Sequence, residues 1–294
     1  MRAVTRERGF TLIEIIIALM LGALVATVVV QTMVGTQRAT QAGMRQIDVR
    51  QNLRAGAAYL GSVIRELDAQ DGDIVVATPT RFQFRGMRWV GVLCGPPVAG
   101  AGTTVILPMS RDQLYGLRVP NAVEDSILVF RDGNRSSRAD DAWLVGAVSV
   151  IGASNCSDGS PATALTVDIT AASGGQAAVL SGVSPGAPLR GFQAEEISLF
   201  QGAGGRWWMG QRTANGAGSW SVVRPLIGPL TTATGMELAY YDSTGAVTGT
   251  LTDIASVAVS LRAESRDRIR RGVTTEYARD SLLTRVALRN NPRF

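Results

Sequence analysis

The apolar run near the start of the chain constrains the fold more than any other feature. Between Phe10 and Val34 the only ionisable side chain is that of Glu14. A stretch of about 20 apolar residues is long enough to cross the hydrocarbon core of a bilayer as an α-helix. The leader before it holds three arginines and one glutamate, a bias that favours a cytoplasmic N-terminus. The sequence therefore predicts a single membrane helix, with the rest of the chain outside the cytoplasm.

A secretory signal peptide is the alternative for such an N-terminus. Its apolar stretch has only about 7 to 15 residues and ends at a small-residue cleavage site. Here the apolar run is longer, and Gly9 precedes it. The pattern therefore favours a membrane helix over a secretory signal peptide.

The string R-E-R-G-F-T-L-I-E, from Arg6 to Glu14, resembles the class III signal of type IV pilins and type II secretion pseudopilins. In that family a membrane-embedded prepilin peptidase cuts after the glycine and N-methylates the new terminal residue. The resemblance implies a prepilin leader at residues 1–9, cleavage between Gly9 and Phe10, and N-methylation of Phe10.

Glu14 needs a physical reason, because a carboxylate near the end of a membrane span costs about 2 to 3 kcal/mol or more unless it faces a partner. In the family, the fifth-position glutamate of one subunit is thought to pair with the terminal amine of a neighbour inside the filament. The resemblance therefore implies a role for Glu14 in subunit assembly. A low dielectric strengthens such a pair, which would set the register between subunits. The alternative is an interfacial acid that reaches the headgroups.

Charge and histidine content bear on the other function classes. The net charge of +5 is carried by arginine alone, because the chain contains no lysine. Such a composition, rich in Ala, Gly and Val, is more typical of a GC-rich genome than of nucleic-acid binding. The absence of histidine removes the commonest general base and metal ligand. We therefore expect no enzyme activity, metal or cofactor, and do not favour a nucleic-acid partner.

Two cysteines, Cys94 and Cys156, lie beyond the membrane helix, in what would be an oxidising compartment. An even count in that setting indicates one disulfide. It would close a loop of about 60 residues and stabilise the fold by roughly 4 kcal/mol. The alternative is two free buried thiols, since sequence alone does not bring their Cα atoms within range. Neither cysteine lies in a CxxC motif, which argues against redox catalysis.

The polar sequence after Val34 continues the helix. Apolar residues recur at steps of three and four while charged residues fill the other faces, which predicts one helix from about Thr11 to near Ala69. Residues 10–34 would form the transmembrane and assembly helix, and residues 35–69 its amphipathic continuation. Residues 70–294 would form a β-rich extracytoplasmic head, with two subdomains as an open alternative.

The head is predicted from short β-rich runs separated by Gly, Pro, Asn, Asp and Ser. The runs are 74–77, 81–84, 89–93, 103–107, 126–130, 143–151, 165–169, 197–201, 206–210, 220–223, 236–241, 257–261 and 283–288. Surface loops are predicted at 95–104, 154–162, 171–177 and 213–219, and a short helix near 111–114. The fold class is therefore α+β, with a long N-terminal membrane and stalk helix followed by a β-rich pilin-like head.

The C-terminal third adds to the resemblance. Three segments, 235–245, 254–265 and 284–290, are similar to the closing pattern of PilW-type minor pilins and of the type II minor pseudopilin J. This implies a minor pilin of a type IV pilus that primes assembly or forms the filament tip. A type II secretion pseudopilin and a DNA-uptake pilus component are the alternatives.

The same resemblance implies the partners and the location of the chain. The partners would be prepilin peptidase, other minor and major pilins or pseudopilins, and the inner-membrane assembly platform. The chain would cross the inner membrane once before assembly, with its N-terminus in the cytoplasm, and then lie in the pilus, the periplasm or at the cell surface.

Four further patterns have a structural alternative that we favour. The acids around Asp132-Gly133-Asn134 could hold calcium but lack the EF-hand spacing, so we expect a solvated hairpin loop. The glycines at 202–205 lack the Lys-Ser/Thr of a phosphate loop and predict a hairpin turn. The tryptophans could form a sticky patch, although core packing is favoured; they are Trp207, Trp208 and Trp220. The arginines could contact DNA, although acids interrupt them and a solvated hairpin loop is favoured; they are Arg262, Arg266, Arg268, Arg270 and Arg271.

Overall fold

The computed structural model describes residues 11–133, 136–137, 140–271 and 274–289, without the side chains of residues 270 and 271. One long helix is followed by a 14-stranded sheet. The helices are α1 (Leu12–Glu66) and α2 (Gly175–Gly182). The strands are β1 (Ile74–Thr78), β2 (Arg81–Val92), β3 (Val98–Ala99), β4 (Thr104–Ser110), β5 (Tyr115–Gly116), β6 (Ser126–Arg131), β7 (Ala142–Asn155), β8 (Pro161–Ile169), β9 (Pro188–Gln201), β10 (Trp207–Thr213), β11 (Arg224–Leu230), β12 (Met236–Tyr241), β13 (Ser256–Arg271) and β14 (Thr274–Ala287).

The sheet runs in the order β12-β13-β11-β10-β9-β6-β7-β8-β4-β3. Off this path, β14 pairs with β13, and β2 pairs with β1, β5 and β9. The pairs whose register is described are antiparallel. This arrangement of a long apolar helix followed by antiparallel strands is consistent with a pilin-like architecture.

The described chain divides into two compact units. The first holds the described parts of Met1–Gln51 and Glu264–Asp280, and the second those of Asn52–Ala263 and Ser281–Phe294. The division therefore crosses α1, β13 and β14 rather than a loop. The domain bounds expected from the sequence stay predictions.

In the first unit, polar side chains of α1 hold the outer parts of β13 and β14. Arg45 pairs with Asp267 at 2.7 Å, and Arg50 Nε donates to Asp280 at 2.8 Å. The Gln46 side chain donates to the backbone carbonyl of Arg279 at 3.4 Å. The helix residues that make these contacts, 45–50, lie beyond the apolar run, which ends near Val34.

In the second unit, the last turns of α1 are buried against the sheet. Leu53, Leu60 and Ile64 are almost fully buried. A Cβ on Gly56 would run into Ile227 and Leu261, so this glycine permits the close approach of helix and sheet. Just after the helix, Asp68 Oδ1 accepts hydrogen bonds from the backbone N–H groups of Gln70 and Asp71. A side chain that bonds to nearby backbone in this way favours a turn over further helix.

A second apolar core lies among the middle strands of the same unit. It is built around Trp89 and includes alternate residues of the strands β4, β7 and β8. The period of two that predicts a half-buried strand is clearest in β12, where Met236, Leu238 and Tyr240 are buried and the residues between them are not.

Five local predictions are wrong. The predicted loop 95–104 contains the two-residue strand β3, Val98–Ala99. The run 220–223 is not a strand; the strand is β11, which begins at Arg224. The predicted loop 171–177 holds a 3-10 turn and the start of α2. No helix forms at 111–114, which is a turn. The arginine cluster, expected in a loop, lies in β13.

Candidate assembly site in the N-terminal helix

The first turn of α1 closes on itself through Thr11 and Glu14. The backbone N–H of Thr11 and its Oγ1 both lie 2.9 Å from Glu14 Oε2, while the Glu14 N–H donates to Thr11 Oγ1 at 3.3 Å. This reciprocal pattern is a capping box, in which two side chains satisfy backbone donors that a helix start leaves open. The carboxylate therefore sits at the positive end of the helix dipole, where a negative charge is stabilised.

The apolar side chains that follow this cap are exposed. Leu12, Leu19 and Met20 are 79%, 68% and 70% exposed, and every large apolar side chain from Leu12 to Met33 is at least 48% exposed. A monomer in water does not tolerate an apolar surface of this size, so the segment must be covered by lipid or by other subunits. By length and composition, α1 is able to cross a membrane.

The two threonine hydroxyls in this stretch are satisfied within the helix. Thr27 Oγ1 donates to the Ala23 carbonyl at 2.8 Å, and Thr32 Oγ1 donates to the Val29 carbonyl at 2.8 Å. Hydroxyls that bond back to the preceding turn need no water, which makes them compatible with a lipid surrounding.

The structure places the predicted site residues as follows. Glu14 lies in the first turn of α1. Gly9 and Phe10, the predicted cleavage and N-methylation positions, lie outside the described residues. Their processing and the role of Glu14 in assembly stay predictions. Sequence reasoning missed Thr11, although the spacing Thr-x-x-Glu before an apolar run is the signature of a capping box.

The disulfide expected from the sequence is present in the second unit. Cys94 follows β2, Cys156 follows β7, and the two sulfur atoms are bonded at 2.02 Å across a sequence separation of 62 residues. Backbone bonds accompany it: Cys94 N–H donates to the Pro108 carbonyl, and the Ser157 N–H donates to the Cys94 carbonyl. The bridge therefore ties the end of one strand to the hairpin between β7 and β8.

Two buried carboxylates on β9, missed by sequence reasoning, organise the centre of the sheet. Glu196 accepts hydrogen bonds from Arg212, Gln83 and Arg81, at distances from 2.6 to 2.9 Å. Glu195 pairs with Arg88 at 2.5 Å and accepts a hydrogen bond from Gln211. Burial raises the pKa of Glu196, but the hydrogen bonds outweigh it and lower that pKa to about 2. Since each acid is paired, the pattern is typical of a structural network.

The remaining candidate sites have structural surroundings. The acids Asp132 and Asp140 lie in the connection between the paired strands β6 and β7. Across the described residues, no group of three or more His, Cys, Asp or Glu side chains is placed to hold a metal ion. All three tryptophans are half-buried; they are Trp207, Trp208 and Trp220. Arg212 lies over the Trp220 ring, with its Cζ 4.9 Å from the centroid.

Two of the arginines in β13 are held by neighbours within their own unit. Arg262 pairs with Glu237 at 2.8 Å and donates to the Thr234 carbonyl at 2.8 Å. Arg268 lies over the Tyr277 ring, with its Cζ 5.3 Å from the centroid. These contacts occupy charges that a DNA-binding surface would leave available for phosphate.

Comparison with known proteins addresses the same N-terminal segment. Residues 4–30 match a family model described as the prokaryotic N-terminal methylation motif. The motif indicates a substrate of the type IV pilin and pseudopilin type of prepilin peptidase, and it supports a type IV pilin-like prepilin. Such a prepilin is processed by the peptidase, anchored in the membrane before assembly and assembled with other pilins. No curated protein and no solved structure matches the chain.

Proposed function

We propose that the chain is a PilW-type minor pilin, which enters a type IV pilus and primes its assembly or forms its tip. The observation that carries the proposal is the exposed apolar first half of α1, which needs lipid or neighbouring subunits to cover it. The methylation motif at residues 4–30 points to the same route, from the membrane into a filament.

Minor status rests on the size of the sheet region. A 14-stranded sheet on every subunit would crowd a repeating filament, whereas one copy at a tip has room. The work of the chain is then mechanical and recognitional, and we propose no catalytic step for it. In this scheme the cut lies between Gly9 and Phe10, and Glu14 pairs with the amine of a neighbouring subunit.

Two rival functions differ in measurable ways. A type II secretion pseudopilin would share the N-terminal motif but cross-link to secretion subunits rather than to pilus subunits. A DNA-uptake component would bind DNA through the arginines of β13, with an affinity that falls steeply as salt rises. The pairing of Arg262 with Glu237 favours the first rival over the second.

Mass spectrometry tests the processing step. Expressed with prepilin peptidase, the chain is expected to lose residues 1–9 and gain one methyl group at Phe10. Without the peptidase, and in a Gly9→Val variant, the full-length mass should remain. A chain that keeps its leader in the presence of an active peptidase would contradict the proposal.

Filament entry tests the role of Glu14. The Glu14→Gln variant is expected to be cut normally but to be depleted from sheared filaments, because a neutral amide does not pair with an ammonium. The matched control is Asp48→Asn, which removes an exposed carboxylate from the same helix beyond the apolar run. Equal incorporation of both variants would leave Glu14 without an assembly role.

A further inference from the structure

The segment that begins at β5 and leads towards β6 exposes apolar side chains and buries polar groups, which is the reverse of an ordinary surface loop. Four apolar side chains point into solvent on this segment, which we call the 115–123 loop. They are Tyr115, Leu117, Val119 and Val123, which are 68%, 84%, 71% and 70% exposed. Apolar residues scattered singly on a surface are ordinary, whereas four on one short loop form a patch of the kind that marks an interaction site.

The polar groups of this loop point inward, to Asp125, which is fully buried. Asp125 Oδ1 accepts from Arg118 Nη2 at 2.5 Å, and Oδ2 accepts from Trp89 Nε1 and from the Asn121 N–H, both at 2.8 Å. A buried carboxylate with this many donors is satisfied, so the network holds the loop in one conformation.

Backbone contacts fix the two ends of the loop. At one end, Gly116 has φ +155°, and a Cβ there would overlap the backbone of Arg88 and Trp89. The Leu117 N–H donates to the Arg88 carbonyl at 2.9 Å. At the other end, the Val123 carbonyl accepts from the Gly216 N–H at 2.9 Å. The exposed side chains are thus presented on a rigid support, which lowers the entropy lost on binding.

At Leu117 the loop adjoins a cavity of about 220 Å³. Leu117 forms part of its wall, together with Tyr59, Val63 and Glu66 from the last turns of α1. Glu66 is exposed, and in the described part of the chain its carboxylate has no hydrogen-bond or ion-pair partner. The other charges that line the cavity are balanced, since Arg88 pairs with Glu195 and Arg85 interacts electrostatically with Asp73, so Glu66 adds one unpaired negative charge.

Charge distinguishes the three possible occupants of this surface, which are a membrane, a second copy of the chain and a segment of another protein. Arg118 is taken up by Asp125 and by Glu124, the latter at 3.1 Å, so its charge is already paired and Glu66 remains the unpaired acid beside the loop. An anionic membrane surface would repel Glu66. A second copy docked on the same patch would bring each Glu66 towards its own mate, which is a repulsive arrangement. A protein segment with apolar side chains and one basic side chain is attracted by both features.

We propose that the 115–123 loop and the adjoining cavity form a docking surface for an apolar segment of another protein, whose lysine or arginine pairs with Glu66. In the filament this partner is another pilin-like subunit, and that source rests on the proposed function. Burial of the exposed apolar side chains would supply affinity, and the complementary charge would fix the orientation of the partner.

Site-directed photo-cross-linking in cells tests the proposal on the full chain. A photoreactive p-benzoylphenylalanine replaces Leu117, and in the control it replaces Leu283, which is 76% exposed and lies on β14. The expected result is an adduct with a different protein at position 117 and none at 283. Peptide mapping should place a basic residue of the partner beside Glu66.

Two variants sharpen the result. Glu66→Arg should lower the yield of the adduct at least about tenfold, since like charges then face each other, and reversing the charge of the partner's basic residue should restore it. Val119→Asp should also lower the yield, whereas Val247→Asp, at a similarly exposed site, should not. Because these positions are exposed, the melting temperature should stay unchanged and report that each variant folds.

Several outcomes would overturn the inference: no adduct at 117, an adduct with a second copy or with lipid, or an adduct that Glu66→Arg leaves unchanged. The mature mass of the same samples separates this inference from the proposed function. Normal leader removal and filament entry without an adduct refute only the docking surface. An adduct from a chain whose leader is never removed refutes the filament role and leaves the docking surface standing.

Discussion

The two ends of α1 share a helical conformation and an apolar composition, but they have opposite surroundings. Before Val34 the side chains are exposed, and a Cβ on Gly22 would meet no atom within 4 Å beyond its chain neighbours and the backbone of its own helix. From Leu53 to Ile64 the apolar stripe is buried, and Gly56 is crowded by the sheet. One end obtains its stability inside the chain, and the other must obtain it from lipid or from other subunits. Mutations at the two ends should therefore act on different equilibria.

The largest contrast is expected from truncating a leucine at each end. Leu60→Ala removes a fully buried side chain and should lower the free energy of unfolding by about 3 to 4 kcal/mol. Leu19→Ala, at a 68% exposed position, should change it by less than about 0.5 kcal/mol. Urea unfolding in detergent, followed by tryptophan fluorescence, measures both. Equal losses would show that the first end also packs on the sheet.

Acid should lower the stability of the second unit, in which the end of α1 is buried, because a buried carboxylate of its sheet becomes protonated. The folded pKa of Glu196 is about 2, below its ordinary value of 4.5. Its contribution is therefore full above about pH 4.5 and is lost as the pH falls towards 2, a loss of about 3 kcal/mol. The loss of unfolding free energy between pH 5 and pH 2 should be smaller by about that amount in Glu196→Gln, but not in Asp48→Asn. Identical pH profiles for wild type and Glu196→Gln would argue against this network.

Glycine replacement gives a smaller contrast. Gly56→Leu should lower the free energy of unfolding by about 2 kcal/mol, because the new side chain must displace Ile227 and Leu261. Gly35→Leu meets open space and should be neutral or raise helix stability by about 1 kcal/mol. Thermal melting of the two variants compares them directly. A destabilised Gly35→Leu would place an unseen neighbour against the first end.

The smallest effect is expected at the cap. Thr11→Ala removes the hydroxyl that links the first turn to Glu14 and should cost the helix about 1 kcal/mol. Amide exchange of the first turn should then quicken while the sheet stays protected, and Thr11→Ser should behave like wild type. If Thr11→Ala exchanges no faster than Thr11→Ser, the capping box does not hold in the membrane.

Much of this architecture is predictable from periodicity. The steps of three and four in α1 predicted a helix to near Ala69, and it ends at Glu66. Period-two runs predicted β1 and β12 within one residue at each end. The apolar run and Glu14 predicted the anchoring segment, because membrane crossing depends on local composition alone.

The errors lie where long-range contacts override the local signal. The first half of β9 was missed because Glu195 and Glu196 are of a residue type that usually lies on the surface. Here both are buried, because arginines of β2 and β10 pair with their carboxylates. The arginine run in β13 was predicted as a loop, although this part of the strand extends beyond the residues that pair with β12, and β14 pairs with β13 on the other side. The sequence analysis did not single out the 115–123 loop. Its conformation depends on the buried carboxylate of Asp125, which holds Arg118, and local sequence does not show that this carboxylate is buried.

The disulfide has a mechanical consequence. When a folded chain is pulled by its two ends, each freed residue lengthens it by at most about 3.3 to 3.6 Å. The bond between Cys94 and Cys156 lets the tension bypass residues 95–155, which lie between the two cysteines. Tension would thus be carried past this part of the sheet, which would keep its shape even after the strands outside the covalent loop had given way.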